Sequence, residues 1–215
     1  ANGNIFASPN PELIYETAKA VNEGRGVLFV YGNYAGDNLN FDMAEELCSD
    51  DGIRTAHVRI WDDCASAPKE RIQDRRGIAG DIYVIKIAGA ACDAGLELDE
   101  VLRITEKARD NISSIGLATS PGTVPGLDKP TFELGGNEIE YGMGLHGERG
   151  IKRTTMQPAD TLVQTMYDEI RKEMRLTQKD EVCLLVNGLG STTLLELSIA
   201  YRKLARLLDE DQVKV

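Results

Sequence analysis

Continuous apolar runs alternate along this chain with stretches whose apolar residues recur at helical spacing. Val27-Leu28-Phe29-Val30-Tyr31 is an unbroken apolar run rich in β-formers. That pattern predicts a strand buried on both faces. Ile82-Tyr83-Val84-Ile85 and Val182 to Val186 read the same way, while Thr55 to Trp61 alternates like a strand. Helices are predicted between them. Asn10 is placed to cap the first, with Pro11 at its first position, where a missing N–H does no harm. It runs to about Asn22 and is stopped by Gly24-Arg25-Gly26. Phe41 to Ser49 reads as a helix, Ala88 to Gly95 as a short helical stretch, and Asp99 to about Ser114 as a longer helix with Val101, Leu102, Ile104, Thr105 and Ala108 on one face. Pro158 opens a helix with Leu162, Met166 and Ile170 on one stripe, and Thr193 to about Leu208 forms the last amphipathic helix.

Strands alternating with helices predict an α/β fold: two layered α/β domains, with mainly parallel or mixed sheets flanked by helices. Composition changes near Ala118, where Ser120-Pro121-Gly122-Thr123-Val124-Pro125-Gly126 breaks the periodicity. The expected division is residues 1–117 as part of a first domain, 118–130 as a connection and 131–215 as part of a second.

The 215 residues are 42% hydrophobic and 27% charged, an ordinary globular balance. With 35 acidic against 24 basic residues the formal charge is −11. That sign disfavours nonspecific binding to nucleic acid or to an anionic membrane, both of them polyanions. Cys48, Cys64, Cys92 and Cys183 are scattered, with no CxxC pair and no clustering with histidine. Neither a zinc site nor a disulfide framework is expected, and buried free thiols are the default. No apolar run approaches ~18 residues, so no membrane span is expected, and no signal-peptide pattern is seen.

Several stretches are candidates for chemistry. Gly142-Met143-Gly144-Leu145-His146-Gly147-Glu148-Arg149-Gly150 sets one of two histidines among four glycines. Such a backbone either approaches a small molecule or simply turns tightly around an exposed histidine. Asn33-Tyr34-Ala35-Gly36-Asp37-Asn38 follows a buried strand, where ligands bind in open α/β sheets; Asp37 there is either an acid or base or a helix cap. Asn187-Gly188-Leu189-Gly190-Ser191 resembles half of a phosphate loop but lacks the lysine, and a structural turn is the better reading. His57 reads as a packing or surface histidine, Asp62-Asp63 as a solvated loop or a metal pair, and Arg75-Arg76-Gly77 as an exposed loop or a phosphate contact.

Four stretches taken together resemble one family. They are Phe6-Ala7-Ser8-Pro9; Asn33-Tyr34-Ala35-Gly36-Asp37 with Leu39-Asn40-Phe41; Lys129-Pro130-Thr131-Phe132-Glu133-Leu134; and Glu138-Ile139-Glu140-Tyr141 running into the His146 loop. Their order and spacing resemble the substrate-binding subunit of dihydroxyacetone kinase, the DhaK family, over essentially the whole chain. The resemblance implies that His146 adds to the ketone carbonyl of dihydroxyacetone, or a related short ketose, as a covalent hemiaminal. It implies Asp37 as general base for the terminal hydroxyl that accepts phosphate, and Ser8 as a pocket residue. Gly36, Gly144 and Gly147 are implied as substrate-binding positions where backbone approaches the ketose. No metal and no cofactor are expected in this chain. ADP, recharged by a phosphotransferase system, or ATP, with Mg, is expected on a separate nucleotide-bearing kinase subunit or domain. A cytoplasmic homodimer is implied. Paralogues of the family bind the ketone through the same histidine and activate a transcriptional regulator without kinase activity, which is the alternative function.

The chain departs from the family pattern in three ways. It looks like the central part of the subunit, without the glycine-rich GGGSGHEP segment and its histidine. Gly32 stands where the family has a lysine, leaving room for a larger ketose such as erythrulose. Arg149 stands where proline is frequent.

Overall fold

The computed structural model describes residues 3–215. The chain divides into two compact units: residues 1–63, 70–112 and 124–126, and residues 64–69, 113–123 and 127–215. The architecture is mixed α/β. Among the described residues no helix is long and apolar enough to cross a membrane.

Unit one starts with α1 (Pro11–Val21), whose cap is the expected one: Asn10 Oδ1 accepts from Leu13 N at 2.7 Å. β1 (Val27–Gly32) and β2 (Thr55–Ile60) pair in parallel, from Val27 opposite Thr55 to Gly32 opposite Ile60. Parallel neighbours need a crossover, and α2 (Ala35–Asp50) supplies it. Successive strand residues point to opposite faces, and β1 uses both. Val27, Phe29 and Tyr31 join Ile14, Ala18, Ala44 and Cys48 against α1 and α2. Leu28 and Val30 turn the other way, toward Val58, Ile60, Val84, Leu102 and Ile112. That second layer comes from α3 (Asp81–Asp93) and α4 (Leu98–Asp110). The unbroken apolar run of β1 is thus the record of helices on both sides.

Two predicted strands do not form, the first of them in this unit. Ile82 to Ile85 lies in α3, which absorbs the short helix expected at Ala88. Val84 is fully buried, while Ile82 and Ile85 stay half exposed at 50% and 52%. Four β-branched or aromatic residues in a row suit a buried strand, but the apolar positions continue past Lys86 through a 13-residue helix, too long for a typical strand.

Unit two holds an antiparallel sheet, β3 (Leu117–Ala118), β4 (Glu138–Tyr141) and β5 (Lys152–Thr155), in the order β3-β4-β5. Ile139 and Tyr141 pack on Leu162 and Met166 of α5 (Ala159–Met174). Tyr167 of α5 packs with Leu207, Leu208 and Val213, the first two from α6 (Leu194–Glu210). The strand expected at Val182 to Val186 is absent: the segment forms only an isolated bridge, Glu181 with Lys214. Val182 and Leu184 pack on the α5–α6 cluster, but among the described residues no strand pairs with this segment to complete a ladder. The glycine stretch after it is irregular, with a bend at Gly190 and Ser191. Thr193 caps α6 in a reciprocal box with Glu196. Of the four free thiols Cys48 is buried, whereas Cys92 and Cys183 are exposed, against the expectation of burial.

Candidate functional site

The His146 loop is the connection between β4 and β5, and its glycines are needed for specific reasons. Gly142 and Gly147 have φ of +72° and +89°, left-handed conformations that cost a side-chain-bearing residue strain. At Gly150 a Cβ would stand 2.0 Å from Tyr141 O. The close approach lets Tyr141 O accept from Ile151 N at 2.8 Å. Gly150→Ala is therefore expected to destabilise unit two by about 1–3 kcal/mol, the usual range for overpacking, readable as a lower denaturation midpoint.

Glu140 closes the base of the loop. Only 2% exposed, it accepts from Gly150 N at 2.6 Å and from Arg153 Nε and Nη2 at 2.9 and 2.7 Å. Burial alone would raise its pKa, but the Gly150 N–H and the Arg153 guanidinium more than offset that and hold it below the ordinary value.

Glu148 grips His146 at two points. Oε2 accepts from His146 N at 3.0 Å, and Oε1 lies 3.0 Å from Nδ1. A carboxylate can only accept, so this network assigns the ring proton to Nδ1 and leaves the lone pair on Nε2. Burial works to raise the Glu148 pKa, but the bond from the His146 ring leads those that bring it below the ordinary value. Two turn bonds fix the backbone: Gly144 N to Glu148 O at 3.0 Å, and Gly147 N to Gly144 O at 3.2 Å. The result is a fixed imidazole, 35% exposed, with its tautomer defined.

In unit one, Ser8, Gly36 and Asp37 lie around the start of α2. The cap is Tyr34, not Asp37, which lies in the first helical turn. The flanking polar residues are fasteners. Asn33 Nδ2 donates to Gln73 O and Arg75 O, both at 2.7 Å, Tyr34 Oη donates to Gly77 O at 2.9 Å, and Asn40 Nδ2 donates to Ser8 Oγ at 2.9 Å. A Cβ on Gly36 would be 3.5 Å from Ser8 Cβ, so that turn runs close over the Ser8 loop. Asp37 is half-buried on the rim of this framework.

Asp62 and Asp63 are neither solvated nor arranged as a metal pair. Both are buried, at 1% and 0% exposure. Asp62 accepts from Ile78 N at 2.8 Å and Gly80 N at 2.7 Å, which satisfies amides where α3 begins. Asp63 pairs with Arg76 at 2.7 Å, and Arg75 is only 3% exposed, so the basic pair is a buried fastening and not an exposed loop. His57 is half-buried on β2.

Asp81, at the first turn of α3, carries a consequence for stability. Burial, then the charges of Asp62 and Asp37, push its carboxyl up to about 7. Between about pH 4 and pH 7 the folded chain therefore binds more protons here than the unfolded one, and stability falls as pH rises through that window. Asp81→Asn is expected to remove this decline. Urea melts at pH 5 and pH 8 should show the variant gaining on the parent at the higher pH; parallel curves would contradict the assignment.

Three of these groups escaped the sequence reading. Glu148 was visible two residues beyond His146, a spacing that lets a carboxylate reach back to the ring. Glu140 and Asp81 owe their roles to burial, which no local pattern revealed.

The full length, residues 1–215, matches the Dak1 domain. This chain belongs to the Dak1 domain family. It is 47% identical over 213 residues to "PTS-dependent dihydroxyacetone kinase 2, dihydroxyacetone-binding subunit DhaK" of Listeria innocua, covering 99% of this chain and 64% of that relative. The chain thus spans just under two-thirds of the relative's length. Among solved structures, the "dihydroxyacetone kinase operon co-activator Dha-DhaQ" superposes with a TM-score of 0.88 at 28% identity, covering 96% of this chain and 64% of that one. The dihydroxyacetone kinase of C. freundii in complex with AMP-PNP and Mg2+ superposes with a TM-score of 0.87 at 33% identity, covering 97% of this Dak1 chain and 38% of the kinase.

Proposed function

We propose that this Dak1 chain is the ketose-binding part of a dihydroxyacetone kinase, holding its substrate as a hemiaminal on His146. The observation that carries the reading is the Glu148–His146 pair, which orients Nε2 as the nucleophile. The Nε2 lone pair attacks the ketone carbon, and the carbonyl π pair moves to oxygen, which takes a proton from solvent. The imidazolium so formed passes its Nδ1 proton to solvent through the Glu148 hydrogen bond. The adduct keeps all the atoms of the ketose, with no water lost. A covalent tether suits a substrate with few atoms to grip and fixes the orientation of its terminal hydroxyl.

Asp37 is the proposed general base, taking the hydroxyl proton as that oxygen attacks phosphorus. Ser8, Gly36, Gly144 and Gly147 are the proposed substrate-binding positions. The phosphoryl donor, ADP or ATP with Mg, belongs in this proposal to a separate nucleotide-bearing subunit or domain. A cytoplasmic homodimer completes the reading. At Gly32 a Cβ would meet the Tyr34 ring at 3.2 Å, so the position is shaped for a residue without a side chain. A related short ketose such as erythrulose is the alternative substrate proposed, because Gly32 supplies no ammonium where the family has a lysine.

Calorimetric titration tests the reading. Dihydroxyacetone should bind and glycerol, which has no carbonyl, should not; equal binding of both would overturn it. The likeness to the operon co-activator favours one second reading, a ketone sensor that activates a regulator. Addition of a nucleotide-bearing kinase subunit and ATP separates the two, because only the kinase reading yields phosphorylated ketose.

A further inference from the structure

One cluster of metal-ligating groups in unit one has no part in ketose chemistry. Asp42 and Glu45 are three residues apart on α2 and so share a face. His57 stands on β2, opposite Phe29 of β1. One ligand atom from each of Asp42, Glu45 and His57 lies within 4.8 Å of the other two.

Each of the three is also held from outside. Tyr31 Oη lies 3.0 Å from His57 Nδ1. Thr55 Oγ1 donates to Glu45 Oε1 at 3.3 Å, and Arg59 Nη2 donates to Asp42 Oδ1 at 2.6 Å. Metal-binding side chains are oriented in this way, by partners on their outer atoms. His57 Nε2 is buried and faces the carboxylate of Glu45. Glu45 Oε2 lies 3.1 Å away, within ion-pair distance. An imidazole nitrogen converging with two carboxylates is a donor set that a divalent cation can share.

We propose that Asp42, Glu45 and His57 bind one divalent metal ion of the zinc type, clipping α2 to β2. One imidazole nitrogen with carboxylate oxygens suits zinc and its neighbours; magnesium and calcium favour oxygen-only sets. The ion takes the Nε2 lone pair, so the ring proton sits on Nδ1. Tyr31 Oη accepts it there, its other lone pair already engaged by Arg59 Nε at 3.1 Å. Water fills the remaining positions. The Arg59 charge tempers the pull of the two carboxylates, which sets the affinity below that of a dedicated cysteine site. The clip fastens the helix that carries Asp37 in its first turn, but its existence does not depend on the ketose reading.

The test is calorimetric titration of the chelator-stripped chain with Zn2+, alongside thermal melts. One equivalent should bind and raise the melting temperature. Glu45→Gln and His57→Gln should each weaken binding by more than ~100-fold, and Thr55→Val, which removes only an outer partner, by about 10–100-fold. Mg2+ in equal concentration should not compete. Glu45 is 45% exposed, so its variant keeps the fold even if the His57 variant does not. Zinc affinity unchanged in Glu45→Gln, no zinc binding by the parent, or equal competition by Mg2+ would each overturn the proposal.

Discussion

His146→Ala is expected to abolish covalent capture of the ketose and to weaken its binding at least about 100-fold, or about 2.7 kcal/mol. The substrate is small and polar, and such a ligand gains little from area burial; non-covalent contacts alone leave it weakly held. The imidazole is 35% exposed and its removal empties no core, so the loss is one of binding and not of folding. Glu148→Gln should fall between variant and parent. The amide still meets the ring, but it no longer stabilises the positive charge that forms on the imidazole, and an amide can donate as well as accept. It therefore permits the wrong tautomer. If Glu148→Gln bound ketose as the parent does, the orienting role of this pair would be lost from the account.

Asp37→Asn is expected to leave ketose binding intact and to slow phosphoryl transfer by about 10^2–10^4-fold, the usual contribution of a general base. The assay is product formation with a nucleotide-bearing subunit and ATP. Asparagine matches aspartate in shape, and Tyr34, not Asp37, caps α2, so the substitution leaves the helix start in place. The separation of effects is the point of the pair: His146→Ala loses binding, Asp37→Asn loses transfer. An Asp37→Asn chain with unchanged rate would remove the base from the mechanism while leaving the ketose site standing.

The elements legible from sequence were those whose signal is local. Asn10-Pro11 announces α1 because a cap bonds an amide three residues on, and the apolar run of β1 announces a strand because it is covered on both faces. Ile82 to Ile85 misled because the same run also suits a buried helix, and the choice was made by Val84 facing Val58 and Ile60, residues more than twenty positions earlier. Val182 to Val186 has strand chemistry without a strand beside it. Charged residues were harder still. Asp62, Asp63 and Arg75 carry the signature of a solvated loop, yet lie at 1%, 0% and 3% exposure because the amides of Ile78 and Gly80 and the side chain of Arg76 are there to receive the two aspartates. Burial of a charge depends on partners that arrive from elsewhere in the chain, and no periodicity encodes them. In the His146 loop the glycines stood out as unusual, but the reason for Gly150, the carbonyl of Tyr141 pressed against it, is a tertiary contact.

The hemiaminal is tested most directly by intact-protein mass spectrometry after incubation with dihydroxyacetone, with glycerol and the His146→Ala chain as controls. A hemiaminal on His146 gives a mass gain of one whole ketose in the parent, no loss of water, no gain with glycerol and none in His146→Ala. A gain that persists in His146→Ala, or a parent that takes up no ketose at all, would contradict it.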